Sequence, residues 1–359
     1  MSEAGIRIVC LTREAEIARL APEWMALYQR AGRSLFQNPH WHHLWWDHLG
    51  YAEGWRAYTI AAYESGGLIA VAPLAVCSTR GIRQLEWAGV SFFDYPDLLA
   101  DDHVDALSIW RAIRCLGGYD IARLRDVRAD GRSFSALTSL VHEAAQTTQV
   151  YAADLTNRNG QEWFAGLSKR TRANHAASLR RLAETGATSL HRVTAVSAIP
   201  NVVGQLVAQK MAWAEKRGIA TPLTKRSKIF LEKLALQALS EGVLHLSTLR
   251  SGEQTTSTHL GFVSKDGFYY YLPSYHPGFA AMSPGRVHMI ELIKWAADNG
   301  YPRFDFLRGE DRYKANFGKQ ARELHDFTFP AGLLGRLAIQ ARSLRRRVGR
   351  IPLQMSGSR

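Results

Sequence analysis

Residues 258–318 constrain the fold more than any other part of the chain. They contain two strand-like segments, "THLGFVS" and "FYYYLPSYH", joined by a turn at 265–267. A helical pattern, "SPGRVHMIELIKWAADNG", follows and leads into the aromatic segment "RFDF". Alternation in the strands and apolar residues at helical spacing carry these assignments. A hairpin, a crossover helix and a further strand predict an α+β unit.

The start of this helix carries the first sign of a site. Ser283 suits the N-cap, Pro284 the first helical position and Gly285 the second. Glycine removes a side chain where backbone N–H groups point outward, which is how a helix N-terminus accepts a phosphate. Arg286 follows in the first turn, where a cation opposes the helix dipole by roughly 0.3–1 kcal/mol unless an anion binds. The alternative is an ordinary helix start with a solvated arginine.

The strand before this helix is expected to open at its edge. Pro273 and Pro277 lie in or just after it, and proline cannot donate to a β ladder. Two strands that splay apart leave backbone groups with which an extended ligand can pair.

The rest of the chain predicts two similar halves followed by a tail. Residues 1–150 alternate helical and strand signals, and Asn38 before Pro39 starts one of the helices. Residues 151–330 form an α+β domain, and residues 331–359 form a basic tail. The predicted fold class is α+β, with two domains whose mostly antiparallel sheets are flanked by helices.

The net charge of +13 indicates anionic partners, but the charge is uneven. The tail from residue 331 onward has seven arginines and no acidic residue. The segment "SKRTRANHAASLRRLAETG" has five more basic residues against one glutamate, and at helical spacing it makes a basic surface of Lys169, Arg172, Arg180 and Arg181. A solvated helix face is the usual meaning of such a run. The alternative is a surface for a nucleotide-sugar, a lipid-pyrophosphate sugar or tRNA.

Several classes of protein are not expected from this sequence. No apolar run reaches 18 residues, so a membrane span is not predicted, and the first 20 residues lack the features of a secretory signal. The cysteines Cys10, Cys77 and Cys115 are scattered, which favours a reducing compartment. "HWHH" at 40–43 lies beside two tryptophans and is typical of an aromatic helix rather than a metal site. No metal is expected.

The chain resembles the GNAT-type acyltransferases of the CelD/FemAB-like group, bacterial proteins associated with exopolysaccharide, cellulose, holdfast and cell-envelope synthesis. The residues that carry the resemblance are 258–318 together with "FQNPHWHHLWWDHLG", "LIAVAPLAV", "AGVSFFDYPDLL" and "LSKRTRANHAASLRRLAETG", in the family's order. It implies two tandem GNAT-like domains, the second of which binds acyl-coenzyme A. The Q/R-x-x-G-x-G/A loop of ordinary GNAT enzymes is absent, and Ser283–Arg286 takes its place. This departure keeps aminoacyl-tRNA open as a donor.

The resemblance implies attack of an amine, with a hydroxyl as the less favoured alternative, on a thioester, with acetyl-coenzyme A as co-substrate. A base must take the proton and donors must hold the oxyanion. The candidates for the acid or base are Asp305, Glu310, His259 and Tyr275. The candidates for the cofactor contacts are Ser283, Gly285, Arg286, Val287 and Lys314. The alternative for Asp305 is a structural carboxylate paired with Arg303 or Arg308.

The tail predicts a basic amphipathic helix. Its apolar stripe is Leu334, Leu337, Ala341, Leu344, Val348 and Ile351, and arginines occupy the remaining arc. Such a helix is typical of a membrane-surface element. The arginines are also suited to a regulatory anion such as a cyclic dinucleotide, and the alternative is a helix packed on the body.

Three functions remain open at this stage. The first is a cytoplasmic N-acyltransferase, peripheral at the inner face of the membrane, that modifies an amino sugar of an envelope polysaccharide or its lipid-linked precursor. The second is a Fem-like transferase that uses aminoacyl-tRNA on a peptidoglycan precursor. The third is a GNAT scaffold that binds a membrane or a regulatory nucleotide without catalysis.

Overall fold

The structure is a computed structural model that describes residues 5–141, 144–309 and 312–348. The strands are β1 Arg7–Leu11, β2 Arg56–Ala57, β3 Thr59–Glu64, β4 Gly67–Ala72, β5 Leu74–Thr79, β6 Ile82–Trp87, β7 Leu99–Ala100, β8 Ile121–Arg128, β9 Ala144–Asp154, β10 Thr188–Arg192, β11 Leu244–Ser251, β12 Gln254–Ser264, β13 Gly267–Tyr275, β14 Arg303–Asp305 and β15 Lys319–Pro330. The helices are α1 Glu14–Ala31, α2 Pro39–Trp45, α3 Ala106–Leu116, α4 Arg132–Leu140, α5 Gly160–Ala165, α6 Lys169–Ala183, α7 Ile199–Lys216, α8 Lys225–Ser240, α9 Pro284–Asp298 and α10 Leu333–Val348. The predicted α+β class is confirmed.

The chain forms two compact units. The first consists of the residues up to Gln37, Glu53–Thr147 and the residues from His325 on, and the second consists of Asn38–Ala52 and Thr148–Leu324. The predicted boundaries at 150 and 330 stay a prediction, because compact units need not coincide with family domains.

The first unit contains an antiparallel sheet of order β1-β3-β4-β7 and a further strand series of order β8-β6-β5-β2. Its core is apolar and includes Trp87 and Trp110, whose rings meet edge to face at 5.5 Å. Asp105 caps α3 by accepting the backbone N–H of Leu107 and Ser108.

The second unit has strands in the order β10-β11-β12-β13-β14-β9. All of these pairs are antiparallel except β13 with β14, which run parallel because α9 crosses between them. The hairpin, crossover helix and strand predicted for residues 258–318 are therefore confirmed.

Helix α2 begins as predicted but belongs to the second unit. Asn38 Oδ1 accepts the N–H of His40 at 2.9 Å, and Pro39 is the first helical residue. The indole ring of Trp41 in α2 packs on Phe262 with ring centroids 4.6 Å apart, and Glu241 accepts hydrogen bonds from Asn38 and Trp41. The segment 38–52 thus continues the core of the second unit.

Helices α7 and α9 cover opposite faces of the sheet. Ser257 of β12 lies 3.0 Å from the ring of His288 in α9, whereas the next residue, Thr258, donates to Gln209 of α7. Because neighbouring residues of a strand point to opposite faces, the two helices lie on opposite sides. A site at the edge of this sheet can therefore be bounded by both helices.

Strands β13 and β14 diverge. They pair at Phe268–Phe304 and at Tyr269–Asp305, where β14 ends, while β13 continues to Tyr275 beside β12. Beyond Asp305 the chain stays next to β9, since Phe306 N–H donates to the carbonyl of Tyr151.

Helix α10, in the first unit, confirms a helix in the predicted tail. A Cβ at Gly335 would overlap the carbonyl of Asp120, so the helix packs closely against the rest of the unit at this residue. Leu333, Leu334 and Leu337 are 78%, 60% and 61% exposed. The side chains of Leu344, Val348 and Ile351 lie outside the described part of the chain. Within the described residues, no helix is both long and apolar enough to cross a membrane.

Candidate functional site

A cavity of about 440 Å³ lies in the second unit beside the diverging end of β13. The first turn of α9 lines it together with Tyr270, Pro273, Ser274 and Tyr275 of β13. The end of α7 and Tyr313 also contribute, and the part of the lining that the structure describes contains three basic residues and no acidic one. The cavity therefore suits an anionic ligand.

The first turn of α9 differs from an ordinary helix start. Ser283 is the N-cap as predicted, but its φ of 54° and ψ of 48° are left-handed and its side chain makes no capping hydrogen bond. Its carbonyl accepts the N–H of Arg286 at 3.1 Å and that of Val287 at 3.2 Å. Pro284 has no N–H, so the N–H of Gly285 is the first-turn donor left without a partner among the described residues. An anion at this position would satisfy it.

The predicted cofactor residues separate into two groups here. Ser283, Gly285 and Arg286 line the cavity, and Arg286 is exposed and forms no ion pair with the described residues. Val287 is buried instead, where it packs with Leu182 and Leu249.

The end of α7 supplies residues that the sequence analysis missed. Lys210 Nζ lies 5.0 Å from the ring centroid of Trp213, and the guanidinium of Arg217 lies 4.6 Å from it. The three line the cavity because residues spaced i, i+3 and i+7 share one helix face. The spacing in "KMAWAEKR" was visible, but nothing local connects it with residues 283–286.

Tyr275 joins the two walls of the cavity. Its ring lies over Gly285, since a Cβ there would be 3.5 Å from Tyr275 Cδ1. Tyr270 and Tyr313 add two further aromatic rings to the lining. A side chain larger than hydrogen at position 285 would occupy space between the helix start and this phenol.

Comparisons with known proteins show what the part of the chain that carries this cavity is similar to. Residues 169–315 match the family model described as an acetyltransferase (GNAT) domain. This GNAT segment includes α7, β13 and α9, and so most of the cavity lining. No curated protein matches the chain in sequence.

Solved structures share the fold over nearly the whole chain. FemX matches with a TM-score of 0.58 and 14% identity, covering 93% of this chain and 99% of that one. The C-terminal domain of a putative lysylphosphatidylglycerol synthetase from Agrobacterium fabrum matches with a TM-score of 0.54 and 14% identity, covering 95% and 99%. A tandem GNAT protein from the clavulanic acid biosynthesis pathway matches with a TM-score of 0.52 and 10% identity, covering 92% and 99%. The predicted tandem GNAT-like fold is confirmed.

Asp305 lies in the GNAT segment but is held by structural contacts. It is completely buried, and one carboxylate oxygen accepts the N–H of Leu307 at 2.9 Å. The other accepts from the guanidinium of Arg322 at 2.9 Å. Arg322 of β15 is therefore a partner of Asp305 that the sequence analysis did not name, and pairing with Arg303 or Arg308 stays a prediction. Asp305 is absent from the cavity lining, and its role as a base stays a prediction.

Two further candidates belong to the loop after β14. Lys314 is 4% exposed, and its ammonium group donates to the carbonyls of Phe306, Arg308 and Gly309 at 3.0–3.2 Å. This geometry favours a role in holding the loop, and the anion contact stays a prediction. Glu310 lies outside the described residues.

His259 is buried in the sheet and not among the residues that line the cavity. Its ring stacks on Tyr270 at 4.6 Å, and its two nitrogens have no hydrogen-bond partner among the described residues. Burial, together with the neighbouring His288 and His245, lowers its pKa well below the usual value. A neutral, enclosed imidazole is a poor match for proton exchange with a substrate. Of the three acid/base candidates that the structure describes, Tyr275 alone is found in the lining.

Proposed function

We propose that the chain is an N-acyltransferase that moves an acyl group, with acetyl as the first choice, from coenzyme A to an amine. The observation that carries the proposal is the N–H of Gly285, which has no hydrogen-bond partner in the described part of the chain and lies beside Arg286 in a cavity at the diverging end of β13. These groups suit the phosphates of the coenzyme. The GNAT domain match over residues 169–315 supports the same chemistry.

Transfer would be direct. The amine attacks the thioester carbon, forms the new C–N bond and gives up one proton. The C–S bond breaks, and the sulfur takes up a proton and leaves as a thiol. In this chain, Gly285 N–H and Arg286 would bind the phosphates, and the phenol of Tyr275, whose ring lies next to Gly285, is the candidate proton donor.

For the acceptor we propose an amino sugar of an envelope polysaccharide or its lipid-linked precursor. The support is the resemblance to the CelD/FemAB-like group and the basic cavity lining. The second candidate is Fem-like transfer from aminoacyl-tRNA to a peptidoglycan precursor, which the likeness to FemX favours. A scaffold without catalysis is the third.

The donor is tested by ligand-induced stabilisation of the full chain. Acetyl-coenzyme A at a hundred times its Kd should stabilise the protein by about 2.7 kcal/mol and raise its Tm. Arg286→Gln should weaken this effect, whereas Lys265→Gln, an equal charge change in the exposed turn between β12 and β13, should preserve it. If charged tRNA stabilises the protein and acetyl-coenzyme A does not, the Fem-like function replaces the proposal. If neither binds, the scaffold remains.

We also propose that the protein acts in the cytoplasm and associates with the inner face of the membrane through α10. The exposed Leu333, Leu334 and Leu337 and the arginine-rich sequence of the tail support this placement. A cyclic dinucleotide is a second, weaker candidate for the same arginines.

A further inference from the structure

The α7 side of the cavity has a feature that donor binding at α9 leaves unexplained. Lys210 and Arg217 are both placed over the single indole of Trp213, at 5.0 and 4.6 Å from its ring centroid. Arg217 is exposed and makes no ion pair with the described residues. Two cations on one helix face repel each other, so an anion between them would remove a standing electrostatic cost.

Trp213 positions these two cations and has a hydrogen-bond donor of its own, the indole N–H. The ring quadrupole attracts both basic groups and fixes where they lie. The indole N–H of Trp213 makes no hydrogen bond with the described residues, and the residue is only partly buried. Lys210 is further positioned by donation from its Nζ to the carbonyl of Pro273 at 3.3 Å. This set of donors matches the oxygens of a phosphoryl group.

This set belongs to a different helix from the anion site at the start of α9. Helices α7 and α9 cover opposite faces of the sheet, and residues of both line the cavity. A ligand that fills the cavity can therefore contact Gly285 and Arg286 as well as the set formed by Lys210, Trp213 and Arg217.

We propose that Lys210, Trp213 and Arg217 bind a phosphoryl group carried by the acceptor, so that the acceptor is a phosphorylated amino sugar. The proposal rests on the proposed function for its assignment to the acceptor. The phosphoryl group can come from a sugar phosphate or from the pyrophosphate of a nucleotide- or lipid-linked sugar, since each presents the same oxygens to the two cations.

Binding measurements on the full chain test the subsite without requiring turnover. We expect glucosamine 1-phosphate to bind at least tenfold more tightly than glucosamine, and the difference to shrink at high salt. Arg217→Gln should raise the Kd of glucosamine 1-phosphate at least tenfold and leave the Kd of acetyl-coenzyme A unchanged. Lys216→Gln is the matched control, because it removes the same charge from the neighbouring exposed residue, which does not line the cavity.

Trp213→Leu separates positioning from simple charge. It keeps both cations but removes the ring that orders them, and it should lower the affinity for glucosamine 1-phosphate while Trp213→Phe restores most of it. UDP-glucosamine identifies the source: tighter binding than glucosamine 1-phosphate indicates a pyrophosphate, and weaker binding a sugar phosphate, and either supports the subsite when it depends on Arg217.

Three results would overturn the subsite. The first is equal affinity for glucosamine and glucosamine 1-phosphate, and the second is loss of glucosamine 1-phosphate binding in Arg286→Gln but not in Arg217→Gln. The third is loss of acetyl-coenzyme A affinity in Arg217→Gln, which would assign Lys210, Trp213 and Arg217 to the binding of the acyl donor. Failure of the proposed function is distinguishable, because then acetyl-coenzyme A would not bind whereas glucosamine 1-phosphate would.

Discussion

At the scale of single residues, Tyr275 places a phenol over the first turn of α9. Tyr275→Phe keeps the ring and removes only the hydroxyl group. If the hydroxyl group delivers the proton to the leaving sulfur, kcat should fall by about 10²-fold or more, with the Kd of acetyl-coenzyme A unchanged. Steady-state kinetics and equilibrium binding separate the two effects. Tyr313→Phe, at another ring of the cavity lining, is the control, and wild-type turnover in Tyr275→Phe would exclude this role.

For Asp305 we expect substitution to lower the stability of the fold, whereas for Tyr275 we expect it to lower turnover. Asp305→Asn removes a carboxylate that contacts the mostly buried guanidinium of Arg322, and breaking a buried pair of this kind costs on the order of 3 kcal/mol. Urea unfolding should show this loss, and Arg322→Gln in the same chain should recover part of it. Asp266→Asn, in an exposed turn, should have no effect. A stable Asp305→Asn protein without turnover would contradict the structural role and support the base predicted from sequence.

At the scale of elements, we expect a substitution at the start of α9 to increase stability and to weaken ligand binding. Gly285→Ala should raise the free energy of unfolding by up to about 1 kcal/mol, since glycine is a poor helix former. The new methyl group would sit 3.5 Å from Tyr275 Cδ1, an ordinary contact, but it would narrow the cavity. We therefore expect a higher Tm together with weaker acetyl-coenzyme A binding.

Gly204→Ala in α7 is the matched control for this change. A Cβ there would meet only the flexible end of Lys228, so the helix should gain stability with no change in acetyl-coenzyme A affinity. Equal affinities for Gly285→Ala and the unmodified protein would show that a ligand does not approach Gly285 closely.

The helices and strands were largely predictable from the sequence, whereas the contacts between them were not. The start of α9 and the β12–β13 hairpin follow from proline, glycine and apolar spacing, which act within a few residues. The pairing of Asp305 with Arg322 spans 17 residues and depends on where β15 lies. Trp213 likewise reaches the cavity only because α7 packs along β13. Tertiary contacts decide such partners, and local patterns carry no information about them.

At the scale of the whole molecule, three buried histidines of the second unit predict sensitivity to acid. Burial lowers the pKa of His245 and His288 to about 3, and lowers that of His259 well below the usual value. Because the folded-state values lie below the unfolded value of about 6.5, this stability is complete above pH ~6.5 and is lost as the pH falls. Each histidine contributes about 1.4 kcal/mol per pH unit.

Urea unfolding between pH 7.5 and 5.5 measures this slope. His288→Gln, which can keep hydrogen bonds to Ser247 and Ser257, should reduce it by about a third. Glu291, on the same helix, accepts from His175 and Lys294, and its pKa is lowered, so its contribution is lost only at lower pH. His191→Gln, at an exposed position, should leave the slope unchanged. A stability independent of pH in this range would refute the assignment of neutral buried histidines.

At the same scale, we predict that helix α10 mediates contact with a membrane. Replacing Leu333, Leu334 and Leu337 together by serine removes exposed apolar surface without changing charge. Co-sedimentation with phosphatidylglycerol-containing vesicles should fall strongly, while Leu116→Ser, at an exposed leucine of α3, should bind like the unmodified protein. Each arginine near an anionic surface adds about 1 kcal/mol, so neutral phosphatidylcholine vesicles or high salt should also abolish binding. Unchanged binding after deletion of all residues beyond Pro330 would place the membrane contact elsewhere.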